Sequence, residues 1–199
     1  MIQGVEREQA IDDVSKLKES LGQLPQAVVK PAFVVVSGLP GTGKSFFCCR
    51  LAESLPFLIL ESDALRKTLF CSPTYSGEES TRLFSACHIL IQELLSRGIP
   101  LIFDATNLSE RNREHLYHIA DKTGARLILV SVEAPSAVVH QRLQARKLEV
   151  SREDISDAGW EVYQKMKPAA ERIRRNYFAV DTSRDIAPVI DKIERAIKR

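Results

Sequence analysis

An apolar run, Phe33-Val34-Val35-Val36, leads without interruption into Ser37-Gly38-Leu39-Pro40-Gly41-Thr42-Gly43-Lys44-Ser45. Glycines at 38, 41 and 43 let a strand turn into a helix with backbone N–H groups pointing inward, close to a phosphate that bulkier side chains would obstruct. The helix that follows adds the positive end of its dipole. The spacing G-x-x-x-x-G-K-[ST] gives each fixed position a separate role, with Lys44 reaching the β- and γ-phosphates and the Ser45 hydroxyl ligating Mg²⁺. A turn that merely favours glycine accounts for Gly38 but not for Lys44 and Ser45 together. The expected nucleotide-binding set is therefore Gly38, Pro40, Gly41, Thr42, Gly43, Lys44, Ser45 and Phe46, with ATP and Mg²⁺ as the implied ligands.

Strand-like runs recur at Phe33–Ser37, Phe57–Glu61, Pro100–Asp104, Arg126–Val132 and Tyr177–Asp181, separated by helix-length segments. That rhythm predicts a doubly wound α/β fold with a five-stranded parallel sheet, in which the phosphate-loop motif above would follow the first strand. Consecutive apolar positions such as Leu127-Ile128-Leu129-Val130 fit strands covered by helices on both faces. Glu79 to Arg97 carries Leu83, Phe84, Cys87, Leu90, Ile91, Leu94 and Leu95 at helical spacing and stops at Gly98; His88 within it reads as ordinary helix surface. Ahead of the first strand, Ile11, Val14, Leu17, Leu21 and Leu24 form another stripe, so residues 1–30 read as a helical extension laid on a domain spanning 31–199, or as a flexible arm. The loop Cys71–Gly77 reads equally as a cover over a second substrate or as plain surface.

A phosphate loop alone does not separate kinases from switches, so the acceptor side has to decide. The segment Glu61-Ser62-Asp63-Ala64-Leu65-Arg66 begins at the end of the second strand run, where an acidic side chain would project toward the γ-phosphate and could take a proton from an attacking hydroxyl, with Asp63 the candidate; the alternative is a helix cap made by Ser62 or Asp63. Arg66, one turn on, could orient Asp63 or meet the acceptor. Leu101-Ile102-Phe103-Asp104 ends in the carboxylate expected to hold Mg²⁺ with Ser45, and Thr106 and Asn107 either continue the site or shape the loop and cap the helix starting near Ser109. Arg142 and Arg146 share a helix face and form the core of an expected lid over about 142–155, with Lys147 and Arg152 leaving the choice among cations open.

With these residues in place, the chain resembles the P-loop kinase family that includes polynucleotide 5′-hydroxyl kinases, zeta toxins, chloramphenicol phosphotransferase and many predicted bacterial small-molecule kinases. The likeness runs from about Phe33 to Asp181 through GLPGTGKS (38–45), SDALRK (62–67), DATN (104–107) and the R-x-x-x-R of Arg142 and Arg146. The resemblance implies Lys44, Asp63, Arg66, Arg142 and Arg146 as catalytic residues, Asp63 being the general base and Arg66 an acceptor-binding arginine. The segment Ser156–Tyr163 resembles one common among the predicted kinases, which favours a small-molecule acceptor over a polynucleotide 5′-hydroxyl. Trp160 and Tyr163 could stack on a base or sugar, or anchor the return of the lid.

Composition leaves those readings standing and removes others. With 28 basic and 26 acidic residues the net charge is +2, which gives no general attraction to nucleic acid or membrane. The cluster Arg172, Arg174 and Arg175 could follow a phosphate backbone or be a solvated helix face. The apolar runs fall far short of the roughly 20 residues a membrane span needs. Cys48, Cys49, Cys71 and Cys87 form no C-x-x-C pair and no leader-like segment opens the chain, which predicts reduced thiols in the cytoplasm, with Cys48 and Cys49 packed behind the phosphate loop. A rival of a different class is an ATP-binding regulatory module with no acceptor.

Overall fold

The computed structural model describes residues 2–148 and 159–198; the expected lid residues 149–155, Arg152 among them, the Lys147 side chain and Ser156 to Ala158 lie outside the described residues. Strands β1 (Ala32–Ser37), β2 (Leu58–Glu61), β3 (Leu101–Asp104), β4 (Arg126–Glu133) and β5 (Phe178–Asp181) form one all-parallel sheet in the order β2-β3-β1-β4-β5. Side chains alternate across a pleated strand, so Phe33 and Val35 of β1 enter one core layer while Val34 and Val36 enter the other. Each layer is apolar, and this is why the strands read as unbroken hydrophobic runs.

Helices α2 (Lys44–Ser54) and α8 (Ala187–Lys198) cover one face through Phe47, Leu51, Ile190 and Ile193. The other face carries α1 (Ile2–Glu19), α3 (Ser62–Leu69), α4 (Gly77–Ser96) and α5 (Glu110–Thr123), which contribute Leu17, Leu65, Leu90 and Leu116. Helices α6 (Ser136–Leu148) and α7 (Trp160–Met166) build a small third cluster of Val139, Leu143 and Tyr163 beside the sheet's carboxyl edge. Among the described residues no helix is long and apolar enough to cross a membrane.

Helix α4 begins two residues ahead of the expected start because Ser76 caps it, its hydroxyl accepting from the Glu79 N–H at 3.2 Å. Two further expectations are corrected. His88 is not plain helix surface: its ring stacks on His115 of α5 with centroids 5.6 Å apart, and burial, then the neighbouring His115, push its imidazole down to about 4. Cys48 packs in the core as expected, but Cys49 is exposed, one helical residue further round α2.

Helix α1 rests on the α3–α4 side of the sheet, with Val14 and Leu17 buried and Ile11, at the start of the stripe, 60% exposed. Asp13 receives two hydrogen bonds of 2.6 Å from Arg82 of α4, whose guanidinium also lies 5.2 Å from the Phe70 ring. The connecting segment is held by the Val28 N–H, which donates to the Gly98 carbonyl at 2.8 Å. Leu17 is fully buried, so Leu17→Ala should lower the unfolding free energy by about 2–5 kcal/mol, read as a shifted urea midpoint at unchanged slope. A loss below about 0.5 kcal/mol would mean that α1 unfolds apart from the sheet.

Candidate functional site

The carboxyl edge of the sheet sets the site. Register pairs Val36 with Asp104 and Asp104 with Glu61, so β3 and β2 end level with each other and one residue short of the end of β1, and the phosphate loop leaves β1 beside two acidic strand ends. Gly38 passes so close to β4 that a Cβ there would sit 2.4 Å from the Val132 carbonyl oxygen. Gly43 adopts φ 89°, a left-handed conformation that frees the α2 amino end of any side-chain cap, and the first turn of α2 holds no acid. Its orphan N–H groups and dipole therefore face the loop unneutralised.

The Lys44 ammonium donates to the Leu39 carbonyl at 3.2 Å across the loop. Burial pulls its pKa down, opposed by Asp104 and Asp63, so these two carboxylates lie within its electrostatic reach. Ser45 donates its hydroxyl to Asp104 at 2.6 Å, and the same oxygen lies 3.4 Å from a Glu61 carboxylate oxygen. Burial raises the Asp104 carboxyl against the pull of Lys44 and Ser45, and burial followed by the charges of Asp104 and Asp63 raises Glu61. Three carboxylates thus stand around one ammonium.

That donor set suits Mg²⁺: hard oxygen ligands at Ser45 and Asp104, with more negative charge than Lys44 offsets. Among the described residues no group of three or more His, Cys, Asp or Glu side chains is arranged to hold a metal by itself, so the phosphates of a nucleotide would have to complete the shell.

The remaining expected residues divide. Asp63 stands in the first turn of α3, within the mutual field of Glu61, Asp104 and Lys44. Arg142 lies against the loop, where a Cβ on Gly43 would come 3.3 Å from one of its nitrogens, yet its guanidinium is tied to Thr182, at 2.8 Å to the hydroxyl and 2.9 Å to the carbonyl. Arg146, a turn further along α6, is near enough to Lys44 for its charge to lower the Lys44 pKa. Phe46 is exposed on α2. Trp160 stacks on Tyr163 at 4.8 Å and meets His140 at 4.5 Å, an anchor on α6 rather than a stacking platform.

Arg66 turns away from the pairing with Asp63 expected of it. It is 5% exposed, donates to Glu79 at 2.6 Å and to Ser80 at 3.3 Å, and lies 4.8 Å from the Tyr75 ring. The other Glu79 oxygen accepts from the Thr74 N–H and hydroxyl, both at 2.7 Å, so the 71–77 loop is clamped to α3 and α4 at its base.

Asn107 likewise shapes the loop: at φ 43° it donates to the Val36 carbonyl at 2.7 Å, while its own carbonyl accepts from Ser37. Fully buried Arg113 fastens this loop to the chain that leads into β5, donating to the Asn107, Glu171 and Arg172 carbonyls and pairing with Glu110. Of the basic cluster, Arg175 covers the Tyr117 ring at 4.3 Å and reaches Asp121 at 3.8 Å.

Two residues carry more than their sequence context announces. Thr182, past β5, donates to the Thr42 carbonyl at 2.6 Å and so braces the phosphate loop from 140 residues away; only its place just after a strand end hints at this. Glu61 reaches Ser45, and its signal is its position as the last residue of β2. Two open clefts, of about 660 Å³ along Arg172–Tyr177 and about 530 Å³ between Leu39, Glu133 and Tyr163, include none of Lys44, Asp63 or Asp104.

A family model described as an AAA domain matches residues 33–173. Among solved structures, the chain is similar to Kti12 of Chaetomium thermophilum in complex with ADP-AlF3, at 20% identity over 83% of this chain and 98% of that one, TM-score 0.65. It is also similar to the Mycobacterium tuberculosis APS kinase CysC in complex with AMPPNP and APS (17%, 85% and 99%, TM-score 0.61). A gluconokinase from Sinorhizobium meliloti 1021 matches at 21% identity, covering 85% of this chain and 93% of that one, TM-score 0.60. These likenesses are of fold, an all-parallel five-stranded sheet with helices on both faces.

The Arg66–Glu79 clamp has a pH signature. Burial works to raise the Glu79 carboxyl, but the bonds from Arg66 and Thr74 prevail and hold it at about 2, below the ordinary 4.5. A folded pKa below the unfolded one stabilises at high pH, so the contribution is complete above pH 4.5 and disappears as the pH falls towards about 2. Urea midpoints of the unaltered protein should therefore fall more steeply over that window than those of Glu79→Gln; parallel pH curves would contradict the assignment.

Proposed function

We propose, from the premise that the chain belongs to the AAA domain family whose model matches residues 33–173, that it is a kinase moving the γ-phosphoryl of Mg²⁺·ATP onto a hydroxyl of a small molecule. The observation that supports this reading is the 2.6 Å bond from Ser45 to Asp104, made beside Lys44 and within the electrostatic reach of Asp63, the candidate base. When bound there, Mg²⁺ supplies positive charge to the phosphates.

The chain's own residues do the rest. Lys44 leaves the Leu39 carbonyl for the phosphates, and the α2 amino end holds them in place. Asp63 takes the acceptor's hydroxyl proton as that oxygen bonds to the γ-phosphorus, while the bond to the β–γ bridging oxygen breaks and ADP departs. Arg146, which already acts on Lys44, stabilises the transferring group; Arg142, tied to Thr182, closes the nucleotide side of the loop.

The finer kinship with polynucleotide 5′-hydroxyl kinases, zeta toxins and chloramphenicol phosphotransferase rests on the SDALRK and DATN motifs. Within it, a small acceptor is favoured because Arg66, the acceptor-binding arginine implied by the likeness to polynucleotide kinases, is buried and already neutralised by Glu79. Structures named as gluconokinase and as APS kinase with APS bound point the same way. A cytoplasmic setting suits four free cysteines. Asp63 argues against a purely regulatory ATP module, which would need no base.

The test is transfer of label from γ-labelled ATP with Mg²⁺ into a metabolite extract and, in parallel, into 5′-hydroxyl oligonucleotides. Label should appear in a small molecule; label in the oligonucleotide alone would replace the acceptor class. Asp63→Asn should cut transfer by roughly 10²- to 10⁴-fold with ATP affinity nearly unchanged, and Arg146→Ala by roughly 10³- to 10⁵-fold. Transfer at the unaltered rate in Asp63→Asn would remove the base assignment.

A further inference from the structure

Glu61 has no part in the chemistry described so far, yet it occupies a particular place. It is the Cα partner of Asp104 across the β2–β3 ladder, so the two side chains leave the sheet on the same face. Both approach one hydroxyl. The single proton of Ser45 goes to Asp104 at 2.6 Å, which leaves the Glu61 oxygen at 3.4 Å without a donor from that group. With Asp104 buried and Glu61 half-buried beside it, the two carboxylates repel unless a cation lies between them and the hydroxyl they share. An apolar or amide residue at position 61 would form β2 equally well, so strand formation does not call for the charge.

We infer that Glu61 is a third protein group serving the divalent cation of the nucleotide complex, accepting hydrogen bonds from the cation's water shell while Ser45 and Asp104 hold its inner side. The inference rests on the kinase reading, since the phosphates must complete the shell. Glu61 acts through bound water, so it is a positioning residue, and its effect lies in how tightly the cation is held rather than in the nucleotide alone. Outer-shell partners of metal ligands typically contribute roughly 10- to 100-fold in metal affinity.

The experiment uses the full chain with ADP and Mn²⁺ as probe, following bound Mn²⁺ by its electron paramagnetic resonance signal and measuring ADP binding separately without metal. Glu61→Gln should raise the Mn²⁺ dissociation constant of the ADP complex roughly 10- to 100-fold while metal-free ADP binding is not weakened. Equal Mn²⁺ affinity in Glu61→Gln and the unaltered protein overturns the inference and leaves the kinase reading intact. Loss of metal-free ADP binding in Glu61→Gln would make the residue a support of the phosphate loop and also overturn it. If the unaltered protein takes up no Mn²⁺ with ADP, and Asp104→Asn changes nothing, the phosphate-loop reading fails as well.

Discussion

The bond from Ser45 to Asp104 depends on a fact of topology: β3 lies next to β1 in the sheet although α2, β2, α3 and α4 intervene in the chain. Because the strands are parallel and in register, the residue that ends β3 arrives at the level where β1 gives way to the phosphate loop. Every group assigned to the donor side is placed by that alignment. Glu61 follows from the next register pair, Asp63 from the helix that starts immediately after it, and Lys44 from the helix that starts after the loop. The apolar layers on both faces keep the register, since a one-residue slip would turn each buried side chain towards the opposite layer.

The cost of this arrangement is concentrated charge. Lys44 is held where burial disfavours its proton, and Asp104 and Glu61 where burial disfavours their ionisation, so each makes the others tolerable only in part. The surrounding frame is correspondingly stiff. Arg113 ties the loop after β3 to the segment leading into β5, and Thr182 ties the segment between β5 and α8 to the carbonyl of Thr42. Neither contact touches the reacting groups. Both keep the loop from relaxing away from charges that repel, which is how a site can remain poised for a cation and a polyphosphate.

The strands, the phosphate loop and the acidic strand ends are legible because each is written in consecutive residues: an apolar run, a glycine spacing, an acid at the run's end. The start of α4 reads two residues late in the sequence because Ser76, its cap, sits among loop-forming residues. What escapes the sequence is pairing across distance. Nothing local tells that Arg66 will choose Glu79, 13 residues on, over Asp63 three residues before it. Thr182 meeting Thr42 spans 140 residues, and the His88–His115 stack requires knowing that α4 and α5 lie side by side. Asn107 is readable as a site residue or a loop former, and only its positive φ and its bond to the Val36 carbonyl separate the two.

Arg66 also bears on what the acceptor is. A guanidinium recruited to grip a substrate's phosphate would be left accessible, with its charge uncancelled until the substrate arrives. Here it is buried under Tyr75, paired with a carboxylate that is itself fixed by Thr74, and one of its nitrogens, Nε, has no hydrogen-bond partner. Releasing it for a phosphate would strand Glu79 as an unpaired charge, a change that buried pairs resist strongly. The end of the site next to α3 therefore keeps the carboxylates of Glu61, Asp63 and Asp104 together with no guanidinium from Arg66 among them. By locking Arg66 and the loop above it, the clamp also fixes the start of α3, so the same contact that withdraws a phosphate ligand holds the candidate base in position.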